Sequence, residues 1–176
     1  MNDVAESLYR RAQQLAGQYR ERNVTRILAL LEEAADGDHV EALFELGNWR
    51  HHGIGAERDD VRAARLWTRA AELGHVEASF NLAIACERGI GIARDPSRAF
   101  ALYGRCAEAG NLDAQYELGR CLYYGIGTAP DRMAAQARFE TARRFGHAEA
   151  ICDDGEPDGP RRMPRPSFAG PFRPAP

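Results

Sequence analysis

The chain contains no lysine: all 23 of its basic residues are arginine. A phosphate-binding Walker loop and Schiff-base chemistry both need an amine, so both are excluded. Long apolar runs are missing too. No stretch approaches the ~20 apolar residues of a membrane span. The opening MNDVAESLYRRAQQ mixes charge with apolar residues and holds no signal-peptide core, which leads to the expectation of a cytoplasmic protein. Net charge is small, -3 over 176 residues, and gives no general attraction to nucleic acid or to an anionic membrane. Cysteine is scarce as well. Cys86, Cys106, Cys121 and Cys152 share no regular spacing, and in a reducing compartment they are expected to be free thiols that fill small gaps in the core.

What is present is a period. A shift of 36 residues lays Ala42 on Ala78, Ala114 and Ala150, Leu46 on Leu82 and Leu118, and Asp59 on Asp95 and Asp131. The same step aligns Gly53, Gly89 and Gly125, then Gly55, Gly91 and Gly127, Ala63 with Ala99 and Ala135, and the aromatics Trp67, Tyr103 and Phe139. Period and helical patterning together predict an all-α fold, an α/α solenoid of antiparallel helix pairs.

First helices are expected near 40–52, 76–88 and 112–124, and second helices near 60–73, 96–109 and 132–145. The turn inside each pair reads Gly-Ile-Gly, with glycine where the backbone needs positive φ and isoleucine to plug the gap. Asp59, Asp95 and Asp131 stand where an N-cap carboxylate would accept from the second helix, and Pro96 occupies a first helical position. Gly47, Ala83 and Gly119 would let a neighbouring helix approach closely. Ahead of the repeats, Val4, Leu8, Ala12, Leu15 and Tyr19 form one apolar stripe over 3–21. A crowded second helix over 24–36 ends at Gly37. These two read as an N-terminal capping helix pair.

The predicted organisation is a helical-repeat domain over 1–152, with the cap at 3–37, repeats at about 38–74, 75–110 and 111–146, and an aborted helix at 147–152. Residues 153–176 read as a disordered, Pro-rich tail.

Ala42, Leu46-Gly47, Gly53-Ile54-Gly55, Asp59, Ala63, Trp67, Ala70-Ala71-Glu72 and Gly74-His75 resemble the Sel-one-like repeat family, relatives of the tetratricopeptide repeats, over about residues 37–151. The resemblance implies a right-handed superhelix and an adaptor role in protein complexes. Where that family carries a tyrosine after the Leu-Gly step, this chain has Arg50, Cys86 and Leu122. Arg50 must therefore snorkel or find a partner.

No constellation of catalytic or metal-ligating residues stands out. His51 and His52 are adjacent, so their rings diverge on a helix and cannot share a metal as an i, i+4 pair would. His147, Cys152 and Cys121 lack paired zinc spacing. No nucleophile elbow or phosphate loop is present, and no catalytic residue, cofactor or metal is assigned.

A binding surface is the better reading. In each first helix a stripe at i, i+3 and i+7 remains once the recurring Ala and Leu face inward: Glu45, Asn48 and His52; Asn81, Ile84 and Arg88; Glu117, Arg120 and Tyr124. The expectation is a concave groove for a protein or peptide partner in a non-enzymatic interaction module. Arg88 and Arg120 would hold an acidic or C-terminal carboxylate through forked hydrogen bonds. Two alternatives stand beside it. One is an inhibitor or immunity partner of a specific enzyme. The other is a weak hydrolase with Cys121, near Tyr124, as nucleophile, since the resemblance includes proteins suspected of such activity. No nucleic acid, membrane or metal partner is expected.

Overall fold

A computed structural model describes residues 3–146; of residues 18–22 only the backbone is described. The helix and tail expected beyond residue 146, with Cys152, lie outside the described residues. Seven helices and no strand occur among the described residues: α1 (Asp3–Asp36), α2 (Val40–His52), α3 (Asp60–Glu72), α4 (Val76–Arg88), α5 (Pro96–Glu108), α6 (Leu112–Tyr124) and α7 (Arg132–Arg144). The closest neighbours are α2 with α3, α4 with α5 and α6 with α7; α3 then packs on α4, α5 on α6, and α1 on α2. This is the predicted solenoid of three helix pairs. No described helix is long and apolar enough to cross a membrane.

The N-terminal cap differs from the expected pair. It is one helix of 34 residues, because Glu21-Arg22-Asn23 offers neither proline nor glycine to break it, and Gly17 costs only about 1 kcal/mol inside a helix. Of its expected stripe, Ala12 is buried and Leu8 and Leu15 pack against the core, but Val4 is exposed, and Ala5 and Tyr9 are buried beside the stripe. Ile27, Leu28, Leu30, Leu31 and Ala34 are all buried, as their crowding predicted. Gly37 is not the left-handed residue after this helix. Asp38 is, at φ 58°, a conformation that Asp tolerates, and its carboxylate is gripped by Arg69 Nε at 2.9 Å and Nη2 at 2.7 Å.

Each turn within a pair closes the same way. The N–H groups of Ile54, Ile90 and Ile126 donate back to Trp49, Ala85 and Cys121, and those of Asp59, Asp95 and Asp131 donate to Arg50, Cys86 and Leu122. The Asp carboxylates accept from the backbone N–H of Arg62, Arg98 and Ala134, each at 2.9 Å, which makes them N-caps. Gly47 sits under the face of Trp67: a Cβ there would fall 2.6 Å from Trp67 Nε1, and one on Gly119 would fall 2.7 Å from Phe139 Cε1. Small residue and aromatic ring thus interlock across the first and third pairs, and Trp67 is fully buried.

Candidate functional site

The first helices are capped by side chains, and the two histidine caps also reach back to an earlier helix. His39 Nδ1 accepts from the Ala42 N–H at 3.2 Å and His75 Nδ1 from Ala78 at 3.1 Å; Asn111 Oδ1 takes the same place before Ala114 at 2.8 Å. An accepting Nδ1 leaves the proton on Nε2. That nitrogen donates to Glu6 in the first case, at 2.7 Å, and to Glu41 in the second, at 3.0 Å. Arg50 finds the partner it needs: Nη2 pairs with Glu32 of α1, which also holds Arg62 at 2.9 Å.

The nine positions expected in the groove do not share one environment. Asn48, Asn81, Ile84 and Glu117 are buried, at 1%, 0%, 0% and 3% exposure, and Glu45 and Arg120 are nearly so. These six offer little surface to a ligand. The correction has a physical reason, because the first helices sit close enough for their polar side chains to meet one another rather than solvent. Tyr9 of α1 donates to Glu45 of α2 at 2.7 Å. Asn48 Oδ1 accepts from Asn81 Nδ2 of α4 at 2.9 Å and from Trp67 Nε1 of α3 at 3.1 Å. Arg120 of α6 donates Nη2 to Glu87 of α4 and Nε to Glu117 at 2.6 Å, and Tyr103 Oη donates to Glu87 at 3.1 Å. One polar link therefore joins each first helix to the next, along the whole row.

Sequence reasoning missed the other halves of these links, Tyr9, Trp67, Tyr103 and Glu87. The available signal was complementary partners about one repeat apart: Tyr9 and Glu45 are separated by 36 residues, Asn48 and Asn81 by 33, and Glu87 and Arg120 by 33.

The electrostatics follow from that burial. Desolvation pushes Glu117 up to about 7 despite the opposing pull of Arg120, whose charge is shared with Glu87. Arg120 is held protonated more firmly than usual: the hydrogen bond to Glu87 and the attraction of Glu117 outweigh its desolvation. Desolvation also pushes the Cys121 thiol up to about 12, so it stays protonated and is a poor nucleophile. Cys86, Cys106 and Cys121 are free and buried. Among the described residues no group of three His, Cys, Asp or Glu gathers where a metal could sit.

What remains at the surface from the nine is their last column. His52 and Tyr124 are exposed, Tyr124 at 51%, and Arg88 is half-buried. They close α2, α4 and α6 in turn, each followed by a left-handed glycine cap.

The Sel1 repeat family model matches residues 40–75, 76–111 and 112–138, more than half of the chain. The chain therefore belongs to the Sel1 repeat family, whose repeats generally mediate protein–protein interactions and are typically non-catalytic scaffolds. Among solved structures it is similar to a Sel1 repeat protein from Oxalobacter formigenes, with 25% identity and a TM-score of 0.70, over 83% of this chain and 59% of that one. It is also similar to c5321, a protective antigen of uropathogenic Escherichia coli strains that displays an SLR fold. There the identity is 26% and the TM-score 0.72, over 79% of this chain and 31% of that one. The chain thus spans less than two thirds of either relative. No curated protein matches it.

Proposed function

We propose that the chain is a non-enzymatic interaction module that holds a protein or peptide partner along the inner side lined by its first helices, through the column His52, Arg88 and Tyr124. One observation carries this reading. Of nine helix positions that vary while the framework repeats, these three alone keep substantial surface, and they stack at the same place in successive repeats. Arg and Tyr are the residue types that most often dominate interface energetics. Arg88, half-buried, keeps surface for a hydrogen bond to an acidic or C-terminal carboxylate, whereas Arg120 is buried.

The test is affinity capture followed by titration calorimetry with the retained protein. Arg88→Ala and Tyr124→Ala should each weaken binding by about 1–3 kcal/mol with unchanged helical dichroism. Equal affinity for both variants and the parent would remove this column as the binding region.

A further inference from the structure

We propose that the face formed by the second helices is a separate docking surface for an acidic, partly apolar segment of a partner protein. The helices divide their charge by position in the pair. Each first helix carries two acidic residues against one arginine. The second helices reverse the balance, with three arginines against two acids in α3, two against one in α5 and four against one in α7. A molecule of net charge -3 thus presents a basic side.

That side is also cut by clefts. Three of about 540, 340 and 230 Å³ lie along α3 and α5. They form one continuous run, because Arg65 and Arg69 line both the first and the second, and Thr68 and Glu72 line both the second and the third. The parts of the walls that keep surface are aliphatic: Leu66 in the first, Val61 and Ile92 in the second and Ala101 in the third, over the buried Leu43, Leu82 and Leu102.

The arginines over these clefts fall into two sets. Arg62 is tied to Glu32, and Arg69 to Asp38 and Glu72. Arg65, Arg98 and Arg105 are exposed and have no carboxylate partner among the described residues. Arg65 stands on one side of the ridge made by Thr68 and Glu72, and Arg98 and Arg105 stand on the other. Three unpaired guanidinium groups call for carboxylates, and the aliphatic walls between them call for apolar side chains. A segment that mixes Glu or Asp with Leu, Ile or Val supplies both; a nucleic-acid backbone supplies only the charge. Three carboxylates lie inside the run: Asp38 is gripped by Arg69 and Asp59 caps α3, which leaves Glu72, held loosely by Arg69 at 3.6 Å, as the one that most opposes such a ligand.

Fluorescence anisotropy tests this on the full chain with a short fluorescein-labelled peptide of alternating glutamate and leucine, its glutamine counterpart serving as control. The glutamate peptide should bind saturably, with affinity that falls as salt rises from ~0.05 to ~0.5 M. The combined Arg65→Glu, Arg98→Glu and Arg105→Glu variant should weaken binding by more than about tenfold, and Glu72→Gln should strengthen it. Arg88→Ala and Tyr124→Ala should leave it unchanged, which separates this face from the inner column. Thermal melts followed by dichroism check that the exposed substitutions leave the fold intact. No saturable binding, equal binding of the glutamine peptide, or an unaffected triple variant would overturn the proposal. So would displacement of the peptide by single-stranded DNA at equal concentration. A dimer in sedimentation that the triple variant splits would assign the face to a second copy of the chain instead.

Discussion

Asn48 Oδ1 accepts from two donors at once, Trp67 Nε1 across its own helix pair and Asn81 Nδ2 from the next first helix, with all three side chains buried. Asn48→Ala would remove the acceptor and leave both donors without it inside the core. At about 1–3 kcal/mol for each orphaned group, urea unfolding should report a loss on the order of 2–4 kcal/mol. A loss below about 0.5 kcal/mol, as for a surface site, would mean that water replaces Asn48.

Glu117 makes a second prediction, in pH. Its folded value is raised from 4.5 to about 7. Its contribution to stability is therefore fully present below the unfolded value and is lost as pH rises through the folded one. Between pH 5 and 8, Glu117→Gln should gain on the parent by up to about 3 kcal/mol as pH rises, measured as the difference between their unfolding free energies. His52, lowered chiefly by burial, pulls the other way but is common to both proteins and cancels. Parallel pH profiles would remove Glu117 as the titrating group.

At this scale the sequence misled. A polar residue on a helix reads as solvent-facing, and nothing local tells Asn48 from a surface residue when its partners, Trp67 and Asn81, lie on other helices, or Glu117 from an exposed i, i+3 partner of Arg120 when that arginine reaches on to Glu87 of α4.

Helix by helix, the reading was sounder, because caps and turns are local chemistry. The three Asp caps follow from one residue type at one period, and Asp95→Ala should cost about 1 kcal/mol in thermal unfolding. The first-helix caps are harder to read, because His39, His75 and Asn111 share a column at the 36-residue step without all sharing one residue type. Once His75 Nδ1 is known to accept from Ala78, Asn111 predicts that His75→Asn keeps the cap, whereas His75→Ala loses about 1 kcal/mol.

The second glycine of each Gly-Ile-Gly turn holds more than a backbone angle. Gly91 lies at φ +66°, and a Cβ there would fall 1.8 Å from the Asp60 carbonyl oxygen at the start of α3. Gly74, at φ +94°, has nothing within 4 Å of the equivalent atom. Gly74→Ala should therefore cost only its backbone strain, on the order of 1 kcal/mol. Gly91→Ala must also push one repeat off the previous one and should cost on the order of 3 kcal/mol or more. Equal melting temperatures for the two variants would show that only the angle matters. The sequence could supply the positive φ at Gly91, but not the neighbour one repeat back that makes it obligatory.

Across the whole molecule, the solenoid was legible because its framework repeats, and the row of polar links was not, because it does not: Tyr with Glu, Asn with Asn, and Arg with Glu do one job with different chemistry. Repeat proteins are held by nearest-neighbour interfaces, so each link sets how firmly one pair is coupled to the next. Arg120 tests this directly. A groove role for Arg120 would let Arg120→Ala weaken binding and leave the fold untouched. Its guanidinium instead bridges two carboxylates, the buried Glu117 of α6 and the largely covered Glu87 of α4. Removing it strands both, a loss of about 3–5 kcal/mol for a broken buried ion pair. Because that link joins the second pair to the third, the loss should be regional: native-state hydrogen exchange should show α6 and α7 losing protection while α2 to α4 keep theirs. Combining Arg120→Met with Glu87→Gln and Glu117→Gln, which removes all three charges together, should recover much of the stability. If Arg120→Ala instead melts with the parent and exchanges evenly, the link between the last two pairs does not hold them together, and Arg120 returns to the binding surface.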